Sequence, residues 1–210
     1  MTRNRIAAAF AMRAVILSLV LAGCAGGGGG APGLSPSNIP PEPLPVVDTT
    51  PVPAGNLSSS LPEGWHRGPL MQIYVRGYQD SDGDGIGDLR GLIQRLDYLK
   101  DLGVSGLWLM PVTQSQDNNH GYAVTNYRAI EAQYGTLADF DELLRQAHAR
   151  GIGVIIDYVM NHSGTRHPAF LNSRTGTGNA FRDWYLWQGT KPSGWSIYGS
   201  DPWRSESTGF

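Results

Sequence analysis

Carboxylates stand at every second position of Asp80-Ser81-Asp82-Gly83-Asp84-Gly85-Ile86-Gly87-Asp88 except Ile86, and the intervening glycines let the backbone curl so that several oxygens converge on one point. Hard oxygen donors at that density suit Ca2+. The first nine residues match the opening of an EF-hand loop. Its twelfth position, however, is Gly91 where that loop needs a bidentate Glu, and the residues ahead of it read as a strand rather than a helix. The segment is expected to be a calcium-binding strand-to-helix loop, with an acidic solvated turn that holds no metal as the alternative. A second polar cluster closes the stretch Gly153-Val154-Ile155-Ile156-Asp157-Tyr158-Val159-Met160-Asn161-His162-Ser163. Its ionisable Asp157, the amide of Asn161 and the imidazole of His162 come after an apolar run, at or just past the C-terminal end of a strand. That is the edge where α/β proteins place their chemistry. The competing account makes Asp157 a strand-end turn residue and His162 an already satisfied partner.

The elements that must hold these groups can be read from hydrophobic period. Val154-Ile155-Ile156 is β-branched throughout and predicts a strand buried on both faces, as in parallel sheets. Met71 to Val75 predicts a first strand. Asp88 can cap a helix whose Leu89, Leu92, Ile93, Leu96, Leu99 and Leu102 recur at helical spacing until Gly103 stops it. Val104 to Met110 predicts a second strand, followed by a long polar loop. Thr136 caps a second helix with Leu137, Phe140, Leu143, Leu144 and Ala147 on one face, closed by Gly151. Strand-helix-strand-helix-strand at this spacing means consecutive right-handed βαβ units and a parallel sheet. A doubly wound sheet and a (β/α)8 barrel both satisfy the pattern. A barrel takes about 250 residues, whereas 142 run from Pro69 to Phe210 and supply three strands, so a barrel here would be incomplete.

The N-terminus reads as an export signal, with Arg3, Arg5 and Arg13 ahead of a short apolar core from Ala14 to Ala22. Leu21-Ala22-Gly23-Cys24 resembles the lipobox of bacterial lipoproteins, and lipidation accounts for Cys24, the one cysteine in the chain. Ala25 is not the aspartate that often retains such proteins at the inner membrane, so anchoring to the outer membrane of a bacterial envelope is expected. The organisation expected is a signal peptide over 1–23, a flexible Gly/Pro/Ser-rich tether over 24–68, and the globular part from 69. Removing the signal leaves 13 basic against 18 acidic residues, a net charge of -5. Nothing basic is clustered, which argues against nucleic acid as a partner.

Residues 69–210 resemble the α-amylase superfamily, glycoside hydrolase family 13. Tyr74-Val75-Arg76-Gly77-Tyr78-Gln79-Asp80 and the acidic loop resemble the first strand-to-helix segment of its oligosaccharide-glucosidase-like members. Gly121-Tyr122-Ala123-Val124-Thr125-Asn126-Tyr127 resembles the family's Gly-Tyr-Asp-x-x-Asp-Tyr loop, and Asp157 to His162 resembles its first conserved region. The resemblance implies the first part of a (β/α)8 TIM barrel over 69–162 and part of an inserted domain over 163–210. It implies calcium held by Asp80, Asp82, Asp84, Asp88 and the Ile86 carbonyl. Asn161 also matches a position that binds calcium in many members.

By the same resemblance Tyr122 stacks on a sugar, His162 hydrogen-bonds it, and Asp157 orients an arginine beside the nucleophile. Retaining hydrolysis of α-glucans or maltooligosaccharides needs a carboxylate nucleophile and a carboxylic acid about 5 Å apart. In the family both come after later strands, so none is identified here and the chain is expected to be inactive alone. Ala123 stands where exo-acting members carry an aspartate, which implies action inside longer chains, or the loss of one contact with no change of cleavage mode. Two other classes compete: an envelope-anchored carbohydrate-binding relative without catalysis, and a calcium-dependent adhesion module, which would carry tandem acidic loops where this chain has one. Phe181-Arg182-Asp183-Trp184-Tyr185-Leu186-Trp187, with Trp195 and Trp203, is expected to form a small core or line a cleft. His120, His148 and His167 lack ligand spacing and are expected at the surface or in loops.

Overall fold

Apolar runs bounded by glycine and polar residues become short strands in the computed structural model, which describes residues 45–52, 60–117, 120–194 and 196–205. The expected signal peptide, Cys24 and Trp195 lie outside the described residues. In chain order the elements are β1 (Leu70–Ile73), α1 (Leu89–Gln94), α2 (Leu96–Asp101), β2 (Gly106–Leu109), β3 (Thr113–Ser115), β4 (Val124–Ile130), α3 (Leu137–Ala149), β5 (Gly153–Ile156) and α4 (Pro168–Arg174). β1, β2 and β5 form a parallel sheet in that spatial order, with Gln72 beside Trp108 beside Ile155. This is the parallel sheet that the βαβ pattern predicts, and three parallel strands are consistent with the incomplete barrel that the family resemblance implies.

Helices cover one face of the sheet. Ile73, Leu107 and Leu109 meet Leu89, Leu92, Leu96, Leu99, Leu143 and Ala147 in one core. Each fully buried leucine there contributes about 1.5–3 kcal/mol. Asp88 caps α1 by accepting the Gly91 N–H at 2.7 Å. Thr136 and Asp139 cap α3 reciprocally, and Arg90 reaches from α1 to Asp139 at 2.7 Å.

Four expectations are corrected. The helix predicted from Leu89 to Leu102 is two, because at Arg95 the N–H bonds to Leu92 O, three residues back, and this tightened turn breaks the ladder. The first strand is Leu70–Ile73 rather than Met71 to Val75, since Val75–Gly77 curls into a 3₁₀ turn. Val154-Ile155-Ile156 is not buried on both faces: Ile155 and Ile156 are 41% and 40% exposed. β5 is an edge of the three-stranded sheet, so its side chains have strand neighbours on one side only. The expected polar loop between β2 and α3 contains an antiparallel ribbon, β3 against β4.

Ahead of β1, the ring of Trp65 lies against two glycines of the sheet. A Cβ on Gly153 would stand 2.1 Å from that ring, and one on Gly106 would stand 2.8 Å from it. Arg128 on β4 pairs with Asp48 at 3.2 Å and donates to Thr50 O, which fastens residues 48–50 to the ribbon.

Candidate functional site

The ends of β1, β2 and β5 point the same way, and the segments leaving those ends build one edge. Asp157 prolongs β5 by one residue, its N–H donating to Leu109 O at 2.8 Å. Its Oδ2 accepts the Tyr122 hydroxyl at 2.8 Å, a contact across 35 residues of sequence. The carboxylate acceptor favours the protonated phenol and raises Tyr122 above the ordinary tyrosine range. Tyr122 keeps 36% of its surface exposed, so the ring is held at its tip while its body remains open to a ligand.

His162 is exposed and is tied in from a different direction. The Tyr127 hydroxyl on β4 donates to Val159 O at 2.7 Å and to His162 O at 3.0 Å. The Asn161 amide lies 3.3 Å from His162 Nδ1. The structure therefore joins Tyr122 directly to Asp157, and fixes the backbone of His162 through Tyr127. Tyr127 ends the Gly121-to-Tyr127 segment, yet residue type and spacing give it no role. Its partners lie 32 and 35 residues away, and no spacing rule connects them. His120, expected at the surface or in a loop, is exposed, and its ring stacks on Tyr74 at 5.5 Å between centroids. His167 stands in the loop just ahead of α4 and is half-buried: its Nδ1 accepts the Ala169 N–H, and burial lowers its pKa.

The acidic loop leaves β1 and curls back on itself. Gly83 and Gly85 take positive φ of 87° and 88°, where a side chain would be strained. Asp80 accepts the N–H groups of Asp82, Gly83 and Gly85. The Gly83 and Gly85 amides chiefly hold its carboxyl below the ordinary range. Carboxylate oxygens of Asp80, Asp82 and Asp88 lie within 4.8 Å of one another. Hard oxygens at that separation fit a divalent calcium ion. Asp84 is not in this trio; its Oδ1 accepts the Ile86 N–H at 2.7 Å. The loop is pressed against the chain that precedes it, since a Cβ on Gly87 would stand 2.2 Å from Val75 O.

The aromatic tail divides. Phe170, Tyr185 and Trp187 pack together beside α4, with Trp187 Nε1 donating to the buried Ser173 hydroxyl at 2.8 Å and Arg182 over the Trp187 ring. Trp184 is 64% exposed.

The family profile described as "Alpha amylase, catalytic domain" matches residues 72–209. The chain is 43% identical over 151 residues to an oligo-1,6-glucosidase of Parageobacillus thermoglucosidasius, covering 69% of this chain and 27% of that enzyme. It is 46% identical over 149 residues to a trehalose-6-phosphate hydrolase of Escherichia coli K12, with the same two coverages. Among solved structures, an alpha-amylase from H. orenii superposes with a TM-score of 0.63 at 45% identity, covering 68% of this chain and 31% of that one. The chain thus spans about 27% of the length of the curated relatives it matches.

Proposed function

The chain belongs to the alpha-amylase catalytic-domain family, and from that premise we propose that it is part of a retaining glycoside hydrolase acting on α-glucans or maltooligosaccharides. The observation that carries this reading is the 2.8 Å hydrogen bond from Tyr122 to Asp157 at the C-terminal edge of the sheet. The open face of Tyr122 stacks on the sugar ring at the cleavage point. His162 hydrogen-bonds the same sugar. Asp157 uses Oδ2 for Tyr122, and Oδ1 receives an arginine that stands beside the nucleophile. The nucleophile and general acid are supplied from outside these 210 residues, so the polypeptide alone holds the sugar-facing wall without the reacting pair.

Purified residues 24–210 are expected to release no reducing sugar from soluble starch, while maltotetraose shifts the NMR signals of Tyr122 and His162. Clear turnover would place the reacting pair inside these residues. Unmoved signals at millimolar sugar would sink the sugar-facing roles.

Asp80, Asp82 and Asp88 are proposed to hold Ca2+, with Asp84 and the Ile86 carbonyl completing the set. The ion supplies positive charge that offsets the repulsion between the carboxylates and pins the loop between β1 and α1. Cys24 is proposed to carry lipid and to anchor the protein in a bacterial envelope, at the outer membrane. Replacing it, Cys24→Ser, then moves the protein from the membrane fraction to the aqueous one; equal partitioning of both forms rules the anchor out.

A further inference from the structure

Glu131 is a buried carboxylate for which the sugar chemistry above has no use. It is 9% exposed just past the end of β4. Its backbone is fixed on both sides, the N–H donating to Val112 O at 2.9 Å and the carbonyl accepting Tyr134 N–H at 2.8 Å. Burying a carboxyl group is costly unless a donor meets it, so the donor it meets points to its role. Glu131 Oε2 takes the Ser115 N–H at 3.0 Å. Ser115, 8% exposed, donates its hydroxyl to Asp117 Oδ1 at 2.8 Å. The same Oδ1 accepts the Gly121 N–H at 3.3 Å. Gly121 has a φ of 83°, and a Cβ there would stand 2.6 Å from Pro111 O, so only glycine fits this turn. The next residue is Tyr122. Arg76, Thr113 and Tyr134 close the remaining walls around Glu131, leaving a narrow recess without room for a ligand.

We propose that Glu131 is a positioning residue for Tyr122, acting through Ser115, Asp117 and Gly121 to aim the Tyr122 hydroxyl at Asp157. The proposal rests on the reading of Tyr122 as the sugar-facing group only for its meaning in catalysis; the aiming itself is tested without sugar. The relay ends on a bond whose strength can be read directly, because Tyr122 titrates above the ordinary tyrosine range while it donates to Asp157.

The test tracks the Tyr122 ring-carbon NMR signal of the full chain, labelled at tyrosine Cζ and assigned with Tyr122→Phe, through an alkaline titration. Asp157→Asn sets the reference midpoint for a Tyr122 without its anionic acceptor. Glu131→Ala is expected to move the midpoint down toward that reference, near the ordinary value of about 10. Glu131→Gln, which keeps an oxygen to accept the Ser115 N–H, is expected to restore it. Should Glu131→Ala not fold, the exposed Asp117→Ala and the small Ser115→Ala cut the same relay nearer Tyr122 and are expected to give the same downward shift. A folded Glu131→Ala, Asp117→Ala or Ser115→Ala whose Tyr122 midpoint stays at the wild-type value overturns the proposal. Loss of maltotetraose response in the wild-type chain would instead strike the sugar reading and leave the relay untouched.

Discussion

Asp80 gathers three backbone N–H groups onto one carboxylate, and this arrangement exists before any cation is considered. The loop is thus preorganised, and an added ion has to order little further backbone. Calcium titrated into the purified chain is expected to raise its melting temperature, and Asp82→Asn, which keeps the side-chain shape but removes one charge, is expected to reduce that rise. Calorimetry that shows no heat of calcium binding to the wild-type chain would count against the site. The acidic repeat is readable in the sequence because its donors are local. Glu131 and Tyr127 are not: their decisive partners lie 16 to 35 residues away, and a buried carboxylate is spelled like a surface one. Tyr122 and Asp157 stand out by resemblance, but the hydrogen bond between them emerges only when β5 is placed beside β2.

Helix α3 shows how a cap and an ion pair share one carboxylate. Hydrogen bonds from Thr136 first, then Arg90, hold Asp139 down at about 2. The unfolded chain therefore takes up this proton at higher pH than the folded one. The contribution of Asp139 is complete above the unfolded value near 4 and is lost as pH falls toward 2. Urea unfolding of wild type and Asp139→Asn is expected to show a stability gap at pH 6 that narrows steadily below pH 4; a gap independent of pH would assign the effect to shape alone. Thr136→Ala is expected to cost about 1 kcal/mol through the lost cap. Both helix caps are legible from residue type and spacing. The split at Arg95 is not, because Leu89, Leu92, Leu96 and Leu99 keep the same inward face across it. The β3–β4 ribbon escapes because a three-residue strand with register shifts leaves no sustained alternation to detect.

For the molecule as a whole, helices clothe one face of the three-stranded sheet, and on the other, among the described residues, Trp65 covers one end while apolar side chains stay exposed beyond it. Trp108 and Ile155 stand side by side on that face, 43% and 41% exposed. Contiguous apolar surface and open strand edges favour association. Residues 24–210 expressed alone are expected to sediment as concentration-dependent oligomers and to bind a hydrophobic dye; a monodisperse monomer that ignores the dye would contradict this. The parallel order of the strands is predictable from the βαβ rhythm, but the exposure of β5 is not, since an unbroken β-branched run looks the same in the middle of a sheet and at its rim. At the other end of the strands, Trp65 works as a stopper. Gly106 and Gly153 have no side chains to plug their own floor, and the ring that does so is borrowed from upstream of the first strand. Trimming the gene to begin at Leu70 would uncork that floor, so any shortened version meant for crystallisation should start before the tryptophan.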